Sequence, residues 1–180
     1  EVRGDDGGAV HFDAGAQATP ALTWIVDVPS LETRLAEAVR YQHQIEVLPT
    51  PAPAALTVVC EGKASRTRAE HGVEFDVKPY DQHAIATRLN CERPHGQVAW
   101  QWFSNGEILA FLPLGGPQGN SVAVVWSVSQ ERAPALLATT PEEFTSMLET
   151  ASHQTLGKLS LQGELASWPL QLARAVRWVG

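Results

Sequence analysis

Three polar side chains and a glycine stand at a fixed spacing in one short run of this chain. They are Glu61, Gly62, Ser65 and Arg68, within Cys60-Glu61-Gly62-Lys63-Ala64-Ser65-Arg66-Thr67-Arg68, directly after the apolar stretch Leu56-Thr57-Val58-Val59. Glycine accepts the positive φ of a tight turn, and serine caps the free N–H groups of a helix start. The residue types therefore predict a strand over 56–60, a turn at Glu61-Gly62, a short helix over 65–70, and Gly72 as its C-terminal cap. Such a strand-turn-helix is a common structural unit. Its polar residues border a cofactor only if other segments of the chain point the same way.

Other chemistries leave weaker traces. The six histidines, at 11, 43, 71, 83, 95 and 153, do not form the H-x-x-x-H or join the C-x-x-C spacing of a zinc site. No metal is expected, and each histidine reads as exposed or as the partner of a backbone group. Gly119-Asn120-Ser121-Val122-Ala123 lacks the second glycine of a nucleophile elbow and precedes a strand, which excludes a serine hydrolase. Gly115-Gly116-Pro117-Gln118-Gly119 lacks the G-x-G-x-x-G spacing, and Pro117 removes an N–H that would cradle phosphate, so it reads as a hairpin loop. Trp100, Trp102, Phe103, Phe111 and Trp126 cluster in adjacent expected strands, with Trp100 and Trp102 on one sheet face by the two-residue period. That face has two open readings: core packing, or an apolar pocket for an aromatic or prenylated ligand.

With 180 residues, 44% of them hydrophobic, the chain can bury a full core, and 1–180 is read as a single domain. A net charge of −7 argues against nucleic acid as a partner, because affinity for a polyanion rests on clustered Lys and Arg. The longest strongly apolar run, 108–114, contains Pro113 and falls far short of the roughly 20 residues of a membrane span. Two cysteines, Cys60 and Cys91, fit a reducing cytosol, with Cys60 read as a small hydrophobe in its strand. No signal peptide is visible. The chain starts at Glu1 without Met and stops on an apolar alternating stretch, so it is expected to be a piece of something longer.

The elements that must position these residues are legible from periodicity and turn chemistry. Strands are expected over 10–12, 22–26, 45–48 and 56–60, and Ser30 is expected to cap a helix carrying Leu31, Leu35, Ala38 and Val39. Pro49, Pro51 and Pro53 make a rigid connector. Farther on, strands over 84–89, 98–103, 107–114 and 121–128, separated by Ser104-Asn105-Gly106 and by the glycine-rich loop 115–120, predict an antiparallel meander. Thr140-Pro141-Glu142-Glu143 is a helix start with Phe144, Met147, Leu148 and Ala151 as its core face, and strands at 159–165 and 172–179 complete the set. The fold class that follows is α+β, a mostly antiparallel multi-stranded sheet covered on one face by helices.

Several segments, in order, carry a resemblance. The 56–72 unit resembles the D-G-x-x-S-x-x-R fingerprint of aromatic-ring flavin monooxygenases, with Glu61 in place of Asp. Arg93-Pro94-His95-Gly96-Gln97-Val98-Ala99-Trp100-Gln101-Trp102-Phe103, Ile108-Leu109-Ala110-Phe111-Leu112-Pro113-Leu114, Ser121-Val122-Ala123-Val124-Val125-Trp126-Ser127 and Ala166-Ser167-Trp168-Pro169-Leu170 are similar to successive segments of the same enzymes. From Leu22 onward the chain looks like the middle, substrate-binding portion of a 2-polyprenyl-6-methoxyphenol hydroxylase of ubiquinone biosynthesis, in the para-hydroxybenzoate hydroxylase-like superfamily.

This resemblance implies an FAD-dependent monooxygenase that uses O2 and NAD(P)H to hydroxylate a polyprenylated phenol or quinol precursor. It implies that Glu61, Gly62, Ser65 and Arg68 border the cofactor, with the 56–72 unit facing an FAD domain. Trp100, Trp102, Phe111, Leu112 and Pro113 would help form the substrate pocket. No residue of this chain is assigned a catalytic role. Other ubiquinone-biosynthesis enzymes are implied as partners, with a cytoplasmic location and peripheral contact with the inner membrane.

Departures from the family pattern accompany the matches. The glycine-rich pyrophosphate motif and the later G-D dipeptide are absent, the connection between Arg40 and Cys60 is short, and Glu61 has one methylene more than Asp. The 180 residues alone are therefore expected to hold FAD poorly and to be inactive. The other reading is a stand-alone, non-catalytic module that binds a hydrophobic quinone precursor or partner enzymes. A flavin reductase or halogenase of the same superfamily is a third.

Overall fold

The structure, a computed structural model, describes residues 1–62 and 64–178. In chain order its elements are β1 (Val2–Arg3), β2 (Ala9–Val10), α1 (Val28–Val39), α2 (Arg66–Glu70), β3 (Phe75–Cys91) and β4 (Trp100–Ser104). There follow β5 (Glu107–Pro113), β6 (Ser121–Ser129), α3 (Ala133–Leu137), α4 (Pro141–Ala151), β7 (Leu159–Leu161) and β8 (Ala166–Ala175). The chain divides into two units, Glu1–Val26 with Tyr80–Leu170, and Asp27–Pro79 with Gln171–Gly180.

The first unit is built on a sheet of order β2-β1-β4-β5-β6-β3-β7, with β8 also paired to β3. The β4-β5-β6 meander arises as the turn chemistry predicts. Asn105 and Gly106 take φ of 52° and 78°, the double positive φ of a tight hairpin whose twist matches that of the strands. β3 then lies antiparallel to β6, with Ile85 opposite Trp126 and Leu89 opposite Val122.

Alternation along these strands separates two faces. On one, Val122, Val124, Trp126 and Val128 of β6 join Leu109 and Phe111 of β5, Trp102 of β4, and Ile85 and Leu89 of β3 in a buried cluster. Helix α4 closes that cluster with Phe144 and Leu148, both fully buried, and α3 adds Ala133 and Leu136. Each fully buried Phe or Leu contributes roughly 1.5–3 kcal/mol by leaving water. The helix starts where the sequence requires. Thr140 Oγ1 accepts from Glu143 N at 3.2 Å, and Glu143 Oε2 accepts from Thr140 N at 3.0 Å, a reciprocal cap at a helix opened by Pro141.

The end of α4 is tied to β7 by a carboxylate. Glu149 accepts from Leu159 N at 2.9 Å and from Lys158 Nζ at 3.0 Å, and the Leu159 N–H is the main reason its carboxyl lies below the ordinary value. Beside it, Glu92 Oε2 accepts from Lys158 N at 2.9 Å. Cys91 is buried in the same region, and burial pushes its thiol up to about 11, so it stays protonated and inert.

The second unit holds α1 and α2. Asp27, not Ser30, caps α1: its Oδ1 accepts from Ser30 N at 3.1 Å and from Ser30 Oγ at 2.6 Å, so the serine supports the cap instead of forming it. Helix α1 has an apolar stripe but buries none of its residues. After the β8 strand, Val176 N donates to Glu74 O and Arg177 Nη2 to His71 O.

The α+β reading with helices on one sheet face holds. So do the meander, α4 and the short helix capped by Ser65. Several strands do not. Residues 22–26, 45–48 and 56–60 are not strands, and Trp24 (79%) and Val58 (71%) stand exposed. A strand exists only where its N–H and C=O groups meet those of a neighbour, and none of these segments has one among the described residues. For the same reason Cys60 is exposed, not packed as a hydrophobe. The late strands fall at Leu159–Leu161 and Ala166–Ala175 instead of 159–165 and 172–179, and residue 179 lies outside the described residues. Met147 flanks the buried stripe of α4 and is 39% exposed, so it is not core.

Gly157 joins α4 to β7 at φ 72°, and a Cβ there would collide with the Glu92 side chain that holds Lys158 N. Gly157→Ala is expected to lower unfolding free energy by about 1–3 kcal/mol. Urea denaturation with an unchanged slope is the measurement; an unaltered midpoint would show that neither the Glu92 contact nor the positive φ costs stability there.

Candidate functional site

The sequence-predicted cofactor residues form a closed knot. Glu61 Oε2 accepts from Ser65 Oγ at 2.8 Å and from Thr67 N at 3.2 Å, while Oε1 accepts from Thr67 Oγ1 at 2.6 Å. Ser65 Oγ in turn accepts from Arg68 N at 3.1 Å, capping α2. Arg68 Nη1 donates to Gly62 O at 3.1 Å, and its guanidinium carbon sits 3.7 Å from the centroid of the Phe75 ring. These four residues are thus brought together as the spacing predicts.

The knot has a clear electrostatic signature. Donation from Thr67 Oγ1 first, then from Ser65 Oγ and the Thr67 N–H, holds the Glu61 carboxyl below the ordinary value. Both its oxygens are occupied by the turn it precedes. The longer side chain of Glu61 reaches Thr67, two residues beyond the serine cap. Thr67 is a partner that the sequence reading missed, although a hydroxyl at the second position of a short helix is a visible signal. Gly62 takes φ 74° with nothing within 4 Å of where a Cβ would stand, so its backbone can be approached closely from outside.

The expected substrate residues separate onto the two faces of the sheet. Trp102 (3% exposed) and Phe111 (0%) lie in the core beneath α4, with their rings edge to face at 5.1 Å between centroids. Trp100 stacks on Trp102 at 5.8 Å and packs against the same cluster. Leu112 falls on the opposite face, and Pro113 ends β5. The buried aromatic residues therefore take the core-packing reading of the sequence. The opposite face presents the cross-strand rows Ala110-Val125-Ala86 and Leu112-Ala123-Arg88, small and apolar apart from Arg88 at the edge.

His95 is a further residue whose role the sequence reading left general. It is buried. Its Nδ1 accepts from Gln97 N at 2.9 Å, and Nε2 lies 3.1 Å from Leu114 O, which assigns the ring proton to Nε2. With His95 N donating to Gly119 O at 2.7 Å, this imidazole fixes the loop before β4 against the loop after β5. No group of three or more His, Cys, Asp or Glu among the described residues is arranged to hold a metal ion. No helix among them is long and apolar enough to cross a membrane.

No protein-family model matches the chain. Curated proteins do. Over 126 residues it is 32% identical to the ubiquinone hydroxylase UbiL of Rhodospirillum rubrum, an alignment covering 70% of this chain and 29% of that protein. This chain is a homologue of part of the ubiquinone hydroxylases. The ubiquinone biosynthesis monooxygenase COQ6 of Mus musculus is likewise 32% identical, over 97 residues, covering 53% of this chain and 20% of COQ6. The chain thus spans less than a third of the length of these relatives. Among solved structures, aklavinone-11 hydroxylase, in ternary complex with FAD and aklavinone, superposes at a TM-score of 0.50 with 14% identity. That match covers 67% of this chain and 23% of the hydroxylase, and it shows a shared fold. The resemblance to ubiquinone-biosynthesis hydroxylases read from the ordered segments is borne out.

The Glu61 knot has a pH signature of fixed sign. A carboxyl whose folded value lies below its unfolded one stabilises the turn fully above the unfolded value. That contribution is lost as pH falls through the depressed folded value. The backbone amide signals of Thr67 and Arg68 are expected to shift together on acidification in heteronuclear NMR. Glu61→Gln should abolish the shift; persistence in that variant would assign it to another group.

Proposed function

We propose that this chain is the substrate-domain portion of an FAD-dependent aromatic-ring monooxygenase acting on a polyprenylated phenol of ubiquinone biosynthesis. The observation that carries the reading is the 32% identity to a ubiquinone hydroxylase across 70% of the chain. In the reaction, one atom of O2 replaces a ring hydrogen as hydroxyl and the other leaves as water, with two electrons supplied by NAD(P)H. FAD, when bound, supplies the electron transfer and oxygen activation.

The residues present fit that cofactor at one place. Gly62 leaves open the space where a side chain would stand, and Ser65 and Arg68 are held beside it by the turn. Gly62, Ser65 and Arg68 would border FAD, and Glu61 would act through the turn it holds. The sheet face opposite α4 would carry the phenol. Ala110, Val125 and Ala86 offer a flat floor without polar atoms, and Leu112 lies in the next row beside Ala123. A ring lying on such a floor is oriented by contact area and shielded from water. Trp100, Trp102, Phe111 and Pro113 would support this floor from behind or from its end. A nearby quinone-pathway enzyme or membrane surface as the source of the prenylated substrate belongs to the same reading.

The test uses the complete gene product. It is expected to purify with flavin absorbance and to convert a prenylated phenol, with O2 and NAD(P)H, to a product one oxygen heavier. Ala110→Trp should lower turnover about a hundredfold by lifting the ring from its position, with flavin content unchanged. Flavin-free protein, or full activity in Ala110→Trp, would overturn the assignment. The 180-residue chain alone is expected to bind FAD weakly. Tight binding of a prenylated phenol by that chain without FAD would favour a stand-alone binding module.

A further inference from the structure

On the sheet face opposite α4, one cross-strand row is apolar from end to end but for a single side chain. In it Val2 of β1, Gln101 of β4, Ala110 of β5, Val125 of β6 and Ala86 of β3 are successive direct partners. Gln101 belongs to this face because its strand turns the neighbouring Trp100 and Trp102 toward the core. The row on one side, Leu112, Ala123 and Arg88, has its polar group on β3, the strand of the three farthest from β4. The row on the other side, Phe103, Ile108, Ser127 and Ala84, has one hydroxyl, on Ser127.

Gln101 is half-buried, and its two polar ends are in different states. The backbone N–H donates to Glu1 O at 2.9 Å, whereas the side-chain amide has no partner among the described residues. That amide can both donate to a hydroxyl oxygen and accept its proton. Direct partners on adjacent antiparallel strands have Cβ atoms about 4.5–5.5 Å apart, so the amide stands at the edge of any ring lying on Ala110. Apolar contact holds such a ring flat but is non-directional, and it leaves the ring free to turn in its own plane. A hydrogen bond at one edge removes that freedom.

We propose that Gln101 is the specificity-determining residue of the floor, its side-chain amide hydrogen-bonded to the phenolic oxygen of the substrate ring. The inference rests on the substrate reading proposed above and adds to it the group that stops rotation in the plane. With the hydroxyl held at β4, the ring presents one fixed carbon for hydroxylation. The same contact rejects a ring without a hydroxyl, because the amide then loses water and gains no partner.

The intact, flavin-loaded gene product, kept without NAD(P)H so that no turnover occurs, is titrated by calorimetry with ortho-prenylphenol and with prenylbenzene, which lacks the hydroxyl. The phenol is expected to bind about tenfold tighter, the worth of one hydrogen bond. Gln101→Leu should remove that preference by weakening the phenol alone, and Ser127→Ala should keep it. Flavin absorbance checks folding, with Gln101→Met in place of a Gln101→Leu protein that fails the check. On turnover the unaltered protein should give one ring-hydroxylated isomer and the Gln101 variant a mixture. A preference that survives in the Gln101 variant, or that Ser127→Ala removes instead, would overturn the proposal. So would equal binding of the two probes by the unaltered protein, or a single unchanged isomer from the variant. Failure of the floor reads differently. Prenylbenzene binding that Ala110→Trp leaves unchanged overturns the floor and this proposal with it. Loss of that binding in Ala110→Trp, together with a phenol preference that survives Gln101→Leu, overturns the Gln101 assignment alone.

Discussion

A sheet has two faces, and a single helix can cover only one. Phe144 and Leu148 of α4 mark which face of the β3–β6 meander is buried, because they share one cluster with Val122, Val124 and Trp126 of β6 and with Leu109 and Phe111 of β5. Strand alternation does the rest. Shifting any of these strands by one residue would turn Trp126 and Phe111 toward water and put Val125 and Ala110 under the helix, losing several side chains' worth of burial. Everything assigned to either face, from the buried aromatic rings to the small-residue floor, depends on that one packing choice.

The sequence made this half of the molecule readable because its local signals agree with one another. Thr140-Pro141-Glu142-Glu143 starts a helix whose buried stripe is complete within three turns, and Asn105-Gly106 permits only a tight hairpin. What it left ambiguous was direction. Trp100, Trp102 and Phe111 have the size of pocket residues and the size of core residues, and the two readings differ only in which side the helix covers. Periodicity shows that residues share a face; it does not show which face is wet. The small residues Ala86, Ala110 and Ala123 drew no attention in the sequence because nothing about an alanine marks it as functional, though a flat apolar floor requires small side chains.

The strands expected at 22–26, 45–48 and 56–60 failed for a different reason. Their composition is that of fully buried strands, apolar on both faces, which occur where a sheet is covered on both sides. Composition records a need for cover, whereas a strand also needs hydrogen-bonding neighbours. In the described residues these segments have no strand partner, and Leu56, Val58 and Val47 remain exposed. Helix α1 shows the same imbalance, with an apolar stripe that it does not bury. The alternating meander supplies its own neighbours within 50 residues; these segments do not, and local pattern cannot reveal that difference.

The Glu61 turn shows how one methylene redistributes contacts without undoing a motif. Its carboxylate spans both Ser65 and Thr67, and Ser65 still caps the Arg68 N–H. The result is a self-contained turn, in which the carboxylate is spent on the start of α2 and the Arg68 guanidinium folds back onto Gly62 O and the Phe75 ring. Three hydrogen bonds to one carboxylate, two from hydroxyls and one from an N–H, favour its ionised form. The longer acid folds back into its own turn, and Ser65 keeps its cap on α2.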